Sequence, residues 1–397
     1  MSREALAVVV QRYGANVTGG SESLARAVAE RLAADYEVTV FTSRARDYVT
    51  WRNELPEGQE TLGGVTVRRF SAVRERELQS FNALSDALFD KPHTQQQELD
   101  WLARQGPEVP ALVEALKAEQ QRFSAIVFFT YLYYPTYWGL QAAAARSILV
   151  PTTHDEPALR LNIFREVFAL PKALAFLTPP EEQLVRARFD VAGRPAVVAG
   201  IGVDGGPPPD VEAFKIRHDV RGPYALYAGR IDAGKGCAEM IAFYDRYRRA
   251  RRGACELLLI GTLAMPEPRS PGVRYLGFVS EEEKRQALAG AAAVICPSPY
   301  ESLSISLLEA LSLETPVLAS ARSPVLLDHC RRSNGGLYYA TADEFVESLD
   351  LLVSERELGR RLGANGARYV SAEYAWPVVM ERYKKLIRGV RTATPRP

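Results

Sequence analysis

The feature that most constrains the fold of this sequence is a repeated alternation of short apolar runs with segments of helical periodicity. The apolar runs of the first half are residues 6–10, 37–43, 125–130, 147–153, 173–178 and 196–201. Between the first two, Leu24, Val28 and Leu32 recur every fourth residue, which predicts a helix with one apolar stripe. Continuous apolar runs, as opposed to alternating ones, predict strands of a parallel sheet covered on both faces.

A break follows at residues 200–210, GIGVDGGPPPD, where glycine, proline and aspartate accumulate as in a linker. The alternation then resumes, with apolar runs at residues 224–229, 256–261, 273–279, 293–298 and 316–320. The 397 residues also exceed the usual size of one hydrophobic core. We therefore predict an α/β protein of two doubly wound, Rossmann-like parallel-sheet domains, with ligands at the carboxyl ends of the strands.

The charge balance argues against a nucleic-acid partner, because 49 basic and 48 acidic side chains leave a net charge of +1. Three local basic runs stand out at residues 68–76, 245–253 and 388–397. They could contact anionic lipid headgroups, or they could form ordinary solvated faces. Peripheral contact with the inner face of a membrane is therefore one expectation.

The four cysteines are isolated in the sequence and form no CxxC pair, which argues against a zinc site and a dense disulfide framework. The N-terminal run ALAVVV is too short for a signal peptide, and no run approaches the roughly 20 apolar residues of a membrane span. A cytoplasmic protein is expected.

Three loops carry candidate chemistry. The first contains Gly19 and Gly20, between the first predicted strand and helix, where a phosphate could meet backbone amides. The GxGxxG and GxxxxGK[ST] patterns are both absent there. The loop could equally be a turn, with Ser21 as helix cap and Glu22 favourable to the helix dipole.

The second loop is YAGRIDAGKG, residues 227–236, which follows the first strand of the second half. Its cations Arg230 and Lys235 could clamp a diphosphate and neutralise charge on a leaving phosphate. The alternative is a solvated loop that carries two incidental cations.

The third loop lies in CPSPYESLSISLLEALSLETPVLAS, residues 296–320. A strand is predicted to end at Cys296 and a helix to start near Ser304, which puts Glu301 before the helix and Glu309 inside it. Amides at the helix start suit a phosphate, and a carboxylate suits vicinal hydroxyls. A bare pair of glutamates would more often be a capping or surface feature.

Taken together, NVTGGSES (16–23), GRIDAGKG (229–236) and YESLSISLLE (300–309) resemble a retaining glycosyltransferase of family 4 over nearly the whole chain. The E-x7-E signature of that family would be Glu301 and Glu309. The resemblance implies the GT-B fold, in which two Rossmann-like domains face each other across a cleft. The implied domains are an acceptor-side domain at 1–203, a nucleotide-sugar domain at 204–372, and a C-terminal helix at 373–397 that crosses back to the first domain.

The resemblance also implies roles for single residues. Catalysis would involve Glu301, Arg230, Lys235 and His154, the last of which would lie beside the sugar. As a lone residue, His154 could equally be structural. The donor would further contact Leu303, Ser304, Ile305, Ser306 and Glu309, with the ribose at Glu309, while Gly19 and Gly20 would form the opposite wall.

The sequence departs from the family pattern in the third loop, where Ser302-Leu303-Ser304 replaces the usual Gly-Phe-Gly. The amides of this segment must therefore reach a phosphate without the conformational freedom of glycine. No Asp-x-Asp motif occurs, so we expect neither a metal nor another cofactor.

The implied reaction moves a hexose-type sugar from a nucleotide diphosphate to a hydroxyl of a glycan, lipid or small-molecule acceptor. Two alternatives remain. A nucleotide-sugar 2-epimerase of the same fold would act on the donor alone, and a noncatalytic sugar-nucleotide-binding subunit would bind the donor without turnover.

Overall fold

The computed structural model describes residues 3–17, 19–251 and 255–393. The chain packs as two units, each with its own sheet. The N-terminal unit runs to Ile201 and includes the chain from Met380 onward, whereas the C-terminal unit is Gly202–Val379.

The sheet of the N-terminal unit has the order β3-β4-β2-β1-β5-β6-β7-β8. Its strands are β1 (Ala5–Val9), β2 (Glu37–Ser43), β3 (Gly58–Leu62), β4 (Val65–Phe70), β5 (Ala125–Phe129), β6 (Ser147–Val150), β7 (Ala173–Phe176) and β8 (Ala196–Val198). All neighbours are parallel except β3, which runs antiparallel to β4 at the edge.

The helices of the N-terminal unit connect these strands. They are α1 (Gly20–Leu32), α2 (Leu78–Asp90), α3 (Gln95–Gln105), α4 (Pro110–Glu119), α5 (Tyr134–Ala143), α6 (Ile163–Ala169) and α7 (Pro179–Arg188). The predicted stripe of α1 is confirmed, because Leu24, Val28 and Leu32 are all buried. Burial of this stripe is what holds the start of α1 next to the end of β1.

The sheet of the C-terminal unit has the order β11-β10-β9-β12-β13-β14, and every neighbouring pair is parallel. Its strands are β9 (Tyr224–Ala228), β10 (Glu256–Ile260), β11 (Val273–Gly277), β12 (Ala293–Cys296), β13 (Val317–Ser320) and β14 (Gly336–Tyr339). Its helices are α8 (Val211–Arg217), α9 (Cys237–Ala250), α10 (Glu281–Gly290), α11 (Ile305–Ser312), α12 (Pro324–Ser333), α13 (Ala342–Ser354) and α14 (Arg356–Glu373). The last helix, α15 (Trp376–Ala393), begins in this unit and continues into the other.

The two predicted parallel sheets are therefore confirmed, and β9 and β12 are neighbours at the centre of the second. Because parallel strands end at the same edge, the loops that follow β9 and β12 lie side by side. These are the two loops that carry Arg230, Lys235 and Glu301.

The basic runs are largely paired with the protein itself. In the 68–76 run the partners are Arg68 with Glu119 at 2.7 Å, Arg69 with Glu60 at 2.6 Å, Arg74 with Glu108, and Arg76 with the Val49 carbonyl at 2.9 Å. In the 245–253 run, Arg251 contacts Asp350 at 2.8 Å. Residues 252–253 of this run and 394–397 of the third run lie outside the described part of the chain. Membrane contact stays a prediction that these pairs do not favour.

Candidate functional site

The loop between β12 and α11 ends in an unusual turn. Ser304, which precedes the first helical residue, has φ 74° and ψ 84°, and its side chain makes no capping hydrogen bond. A non-glycine residue rarely adopts this left-handed conformation. Ser304 thus takes the backbone shape that glycine would give more easily, and the first amides of α11 have no carbonyl partner within the helix.

Lys235 and Glu301 are brought together by the structure. Lys235 Nζ lies 2.8 Å from Glu301 Oε1, and both side chains are only partly exposed. Gly236 allows this approach, because a Cβ there would lie 2.5 Å from the carbonyl oxygen of Pro297, in the loop that carries Glu301. A positive φ of 76° at Gly236 also favours glycine.

Arg230 lies in the same loop as Lys235, and Asp232 organises both. The Asp232 carboxylate forms an ion pair with the Arg230 guanidinium and accepts the backbone N–H of Lys235 at 2.8 Å. Asp232 is not among the residues predicted from the sequence, although an aspartate between two cations in a glycine-containing turn is a recognisable signal. The two cations are therefore held in defined positions by carboxylates.

Glu309 lies in α11 and pairs with a neighbour that the sequence analysis also missed. Its Oε1 is 2.9 Å from Nζ of Lys284 in α10, and Lys284 also lies 2.6 Å from Glu281. Burial raises the pKa of Glu309 above its ordinary value, and the ammonium of Lys284 opposes that rise. Among the described residues, no hydrogen bond joins Glu309 to the Lys235–Glu301 pair.

The glycine loop of the N-terminal unit is arranged around Glu22. Gly19 is the N-cap of α1 with φ 150°, so the prediction of Ser21 as the cap is wrong. Glu22 accepts hydrogen bonds from Arg12 Nε and Gln11 Nε2, both at 2.9 Å. A carboxylate of the chain, neutralised by a buried arginine, thus lies at the start of α1.

His154 follows β6 in the same unit, with Nε2 3.6 Å from Glu156 Oε2. Its neighbour Thr153 donates its backbone N–H to Glu181 Oε1, and Leu177 donates to Oε2, both at 2.5 Å. Burial raises the pKa of Glu181 to about 8, with these backbone donors opposing the rise. Glu181 therefore ties the ends of β6 and β7 together and fixes the loop of His154.

The predicted site residues fall into two groups. Arg230, Lys235, Glu301, Leu303–Ser306 and Glu309 belong to the C-terminal unit, whereas Gly19, Gly20 and His154 belong to the N-terminal unit. Within the first group, two cations, a carboxylate and the start of a helix lie around adjacent strand ends. Such a set can bind a diphosphate and the hydroxyls of an attached sugar.

Residues 210–369 match the family model described as glycosyl transferases group 1. Two curated relatives each match part of the chain. Glycosyltransferase 1 domain-containing protein 1 of Xenopus tropicalis is 30% identical over 122 residues, 30% of this chain and 34% of its own. Glycogen synthase of Thermus thermophilus is 30% identical over 185 residues, 45% of this chain and 41% of its own, so the chain spans less than half of either relative. The residues that match the family model all lie within the second unit.

Solved structures resemble nearly the whole chain. Sucrose-phosphate synthase from Thermosynechococcus elongatus superimposes with a TM-score of 0.76 at 19% identity, over 98% of this chain and 100% of that one. Anabaena Alr3699/HepE in complex with UDP and glucose gives 0.70 at 13% identity, over 98% and 100%. The predicted GT-B fold is confirmed.

Two kinds of feature are absent from the described part of the chain. No group of three or more His, Cys, Asp and Glu side chains is placed to hold a metal ion. No helix within the described ranges is both long and apolar enough to cross a membrane.

Proposed function

We propose that this protein is a retaining glycosyltransferase of family 4 that moves a hexose-type sugar from a nucleotide diphosphate to an acceptor hydroxyl without a metal. The observation that supports this most is the Lys235–Glu301 ion pair of 2.8 Å beside the start of α11. Glu301 and Glu309 would be the two glutamates of the E-x7-E signature, one before this helix and one within it.

Lys235 and Arg230 would bind the diphosphate of the donor. Negative charge develops on the diphosphate as the bond to the sugar breaks, and two fixed cations stabilise that charge. Asp232 and Glu301 already hold the cations in place, so little reorganisation would be needed at the moment of reaction. The first amides of α11 would add hydrogen bonds to the phosphate.

The two glutamates would bind hydroxyl groups. Glu301 would accept from hydroxyls of the transferred sugar, and Glu309 from the ribose of the nucleotide. His154 of the N-terminal unit would lie beside the sugar. We assign no general base in the protein, since in a retaining transfer on one face an oxygen of the leaving phosphate can take the acceptor proton.

The donor to test first is a UDP-hexose, because Anabaena Alr3699/HepE, of the same fold, was solved with UDP and glucose. The acceptor would be a glycan, a lipid or a small molecule, and glycogen synthase among the relatives makes a glucan a reasonable first choice.

All four cysteines are buried free thiols, as expected for a protein of the reducing cytoplasm.

The test is a transfer assay with purified protein, UDP-, GDP-, ADP- and dTDP-hexoses and a panel of acceptors. Lys235→Ala and Glu301→Gln should each lower kcat/KM by about 100-fold, the usual cost of one preorganised electrostatic group. Lys215→Ala is the matched control, because Lys215 also pairs with a glutamate and has 32% of its side chain exposed against 34% for Lys235. Its activity should equal that of the wild type.

Other outcomes would replace the proposal. Conversion of the donor without an acceptor would indicate the 2-epimerase, and donor binding without turnover on any acceptor would indicate the noncatalytic subunit. An inverted linkage, found by NMR of the product, would reject retention. Loss of turnover in EDTA would reject metal independence.

A further inference from the structure

A buried histidine lies directly beneath the turn that begins α11. His329 of α12 is fully buried, with Nε2 2.9 Å from the carbonyl oxygen of Leu303 and Nδ1 3.0 Å from the hydroxyl of Tyr369 in α14. A carbonyl oxygen can only accept, so Nε2 carries the proton and Nδ1 accepts from the tyrosine. Both ring nitrogens of the neutral imidazole thus have a hydrogen-bond partner.

Protonation of this imidazole is disfavoured. Burial lowers the pKa of His329 to about 4, and the nearby Arg332 cation acts in the same direction. A second proton on Nδ1 would also have to displace the hydrogen bond from Tyr369. His329 therefore keeps one fixed tautomer, which directs one donor at Leu303.

The contacts continue from Tyr369 to the place where the chain enters the C-terminal unit. The hydroxyls of Tyr369 and Tyr374 are 3.4 Å apart, so Tyr374 can donate to the oxygen of Tyr369. The carbonyl of Tyr374 accepts the backbone N–H of Val203 at 2.8 Å, one residue after the start of the unit at Gly202. Tyr369 is thereby linked through Tyr374 to the segment with which the C-terminal unit begins.

The Leu303–Ser304 turn requires such an anchor. Ser304 has a left-handed backbone at φ 74° and makes no side-chain cap, and such a conformation persists only when surrounding contacts hold it. Leu303 is 4% exposed, and its carbonyl is the atom through which His329 holds the turn. The direction of the first amides of α11 depends on this turn.

We propose that His329 and Tyr369 are positioning residues, which hold the Leu303–Ser304 turn so that the amides of α11 point at the donor's diphosphate. This inference rests on the proposed function, because it takes the donor to bind at that helix start. Neither residue touches the donor: His329 acts through Leu303, and Tyr369 through His329.

Three variants test the proposal. His329→Leu removes the donor to Leu303 and should lower kcat at least tenfold while raising the donor KM less. His329→Gln can still donate to the Leu303 carbonyl and should restore most of the activity, which a loss of packing alone would not allow. Tyr369→Phe should lower kcat by a smaller factor. It removes the hydrogen bond to Nδ1 of His329 but leaves the imidazole in place.

Tyr339→Phe is the matched control. Tyr339 is 2% exposed in the same unit, and its hydroxyl has no hydrogen-bond partner within the described ranges. Removal of that hydroxyl should leave kcat, KM and stability unchanged. A loss of activity in this control equal to that of Tyr369→Phe would overturn the assignment to the His329 contact.

Hydrogen–deuterium exchange without donor separates this inference from the proposed function. Amides of residues 303–308 should exchange at least tenfold faster in Tyr369→Phe and His329→Leu than in the wild type, while those of α9 stay unchanged. If the amides exchange faster in the variants but the wild type transfers no sugar, only the proposed function is rejected. Unchanged exchange, or full activity in folded His329→Leu, would overturn the positioning role; if that variant does not fold, Tyr369→Phe decides.

Discussion

Gly19 and Gly20 are adjacent in the sequence, but only one of them is constrained by its surroundings. A Cβ on Gly19 would collide with the Glu22 carboxylate and lie 3.1 Å from Nη2 of Arg12, and φ there is 150°. A Cβ on Gly20 would meet no atom within 4 Å. The sequence gives both glycines the same role, whereas the structure separates them.

The first prediction compares alanine at these two positions. Gly19→Ala should lower the free energy of unfolding by about 1–3 kcal/mol, because the side chain meets both a strained backbone and Glu22. Gly20→Ala should leave it unchanged or raise it by about 0.4–1 kcal/mol, since alanine reduces the entropy of the unfolded chain. Urea denaturation of both variants measures the difference, and equal losses would contradict it.

A second prediction concerns Glu181, which the sequence analysis passed over. Both of its carboxyl oxygens accept backbone N–H groups, and in either protonation state each oxygen keeps a lone pair. Glu181→Gln would instead direct an amide nitrogen at one N–H. We expect a loss of about 1–3 kcal/mol in the free energy of unfolding, the usual cost of an unsatisfied buried donor.

The neighbouring Glu182 provides the control for this measurement. Glu182 pairs with Arg186 at the surface of α7, at 2.7 Å. Exposed pairs of this kind contribute about 0.3–0.5 kcal/mol, so Glu182→Gln should change the stability little. If both variants unfold alike, the hydrogen bonds of Glu181 do not hold the β6 and β7 ends.

At the scale of elements, the packing of α12, α14 and the α11 turn around His329 predicts a pH dependence of stability. His329 has a pKa of about 4 in the folded protein, against about 6.5 for an unperturbed histidine. Between these values the unfolded chain binds a proton that the folded chain does not. The stability contributed by the neutral imidazole is therefore complete above pH 6.5 and is lost as the pH falls towards 4.

The measurement is urea denaturation of the wild type and His329→Gln at pH 7 and pH 5. The wild type should lose about 2 kcal/mol more than the variant, because the 1.5 pH units between pH 6.5 and pH 5 cost about 1.4 kcal/mol each. Other titrating groups, including Glu181, remain in both proteins and cancel in the difference. An equal pH dependence of the two proteins would show that His329 is not held neutral.

The sequence predicts the strands that are continuous apolar runs, such as β5 and β12, because burial on both faces selects such residues. It misses β3 and β4, the hairpin at the edge of the first sheet, in which Arg68 and Arg69 follow Val67. In the sequence, those arginines resemble part of a basic surface run. Their partners Glu119 and Glu60 become neighbours only when the chain is folded. β3 is the edge strand and is largely exposed, so apolar content does not identify it.

Candidate site residues follow the same division. Arg230, Lys235 and Glu301 can be found from the sequence because they lie in glycine- and proline-containing loops directly after apolar strands. His329 and Glu181 lie inside helices, and each has a backbone partner that is distant in the sequence, 26 residues away for His329 and 28 for Glu181. No local pattern reports such a contact, since it depends on which elements pack together.

For the whole molecule, the net charge of +1 means that no overall field draws a nucleotide in, so affinity must come from the local cations. We predict that UDP raises the melting temperature by mass action, with about 2.7 kcal/mol of stabilisation at 100 times its Kd. Lys235→Ala should lose most of this shift, whereas Lys215→Ala should keep it, and EDTA should leave it unchanged. Thermal denaturation with UDP, GDP, ADP and dTDP measures the shift for each base. If UDP raises the melting temperature of Lys235→Ala and of the wild type equally, the nucleotide binds away from the β9 and β12 loops. A diphosphate bound beside Lys235 would lose affinity when the ammonium group is removed.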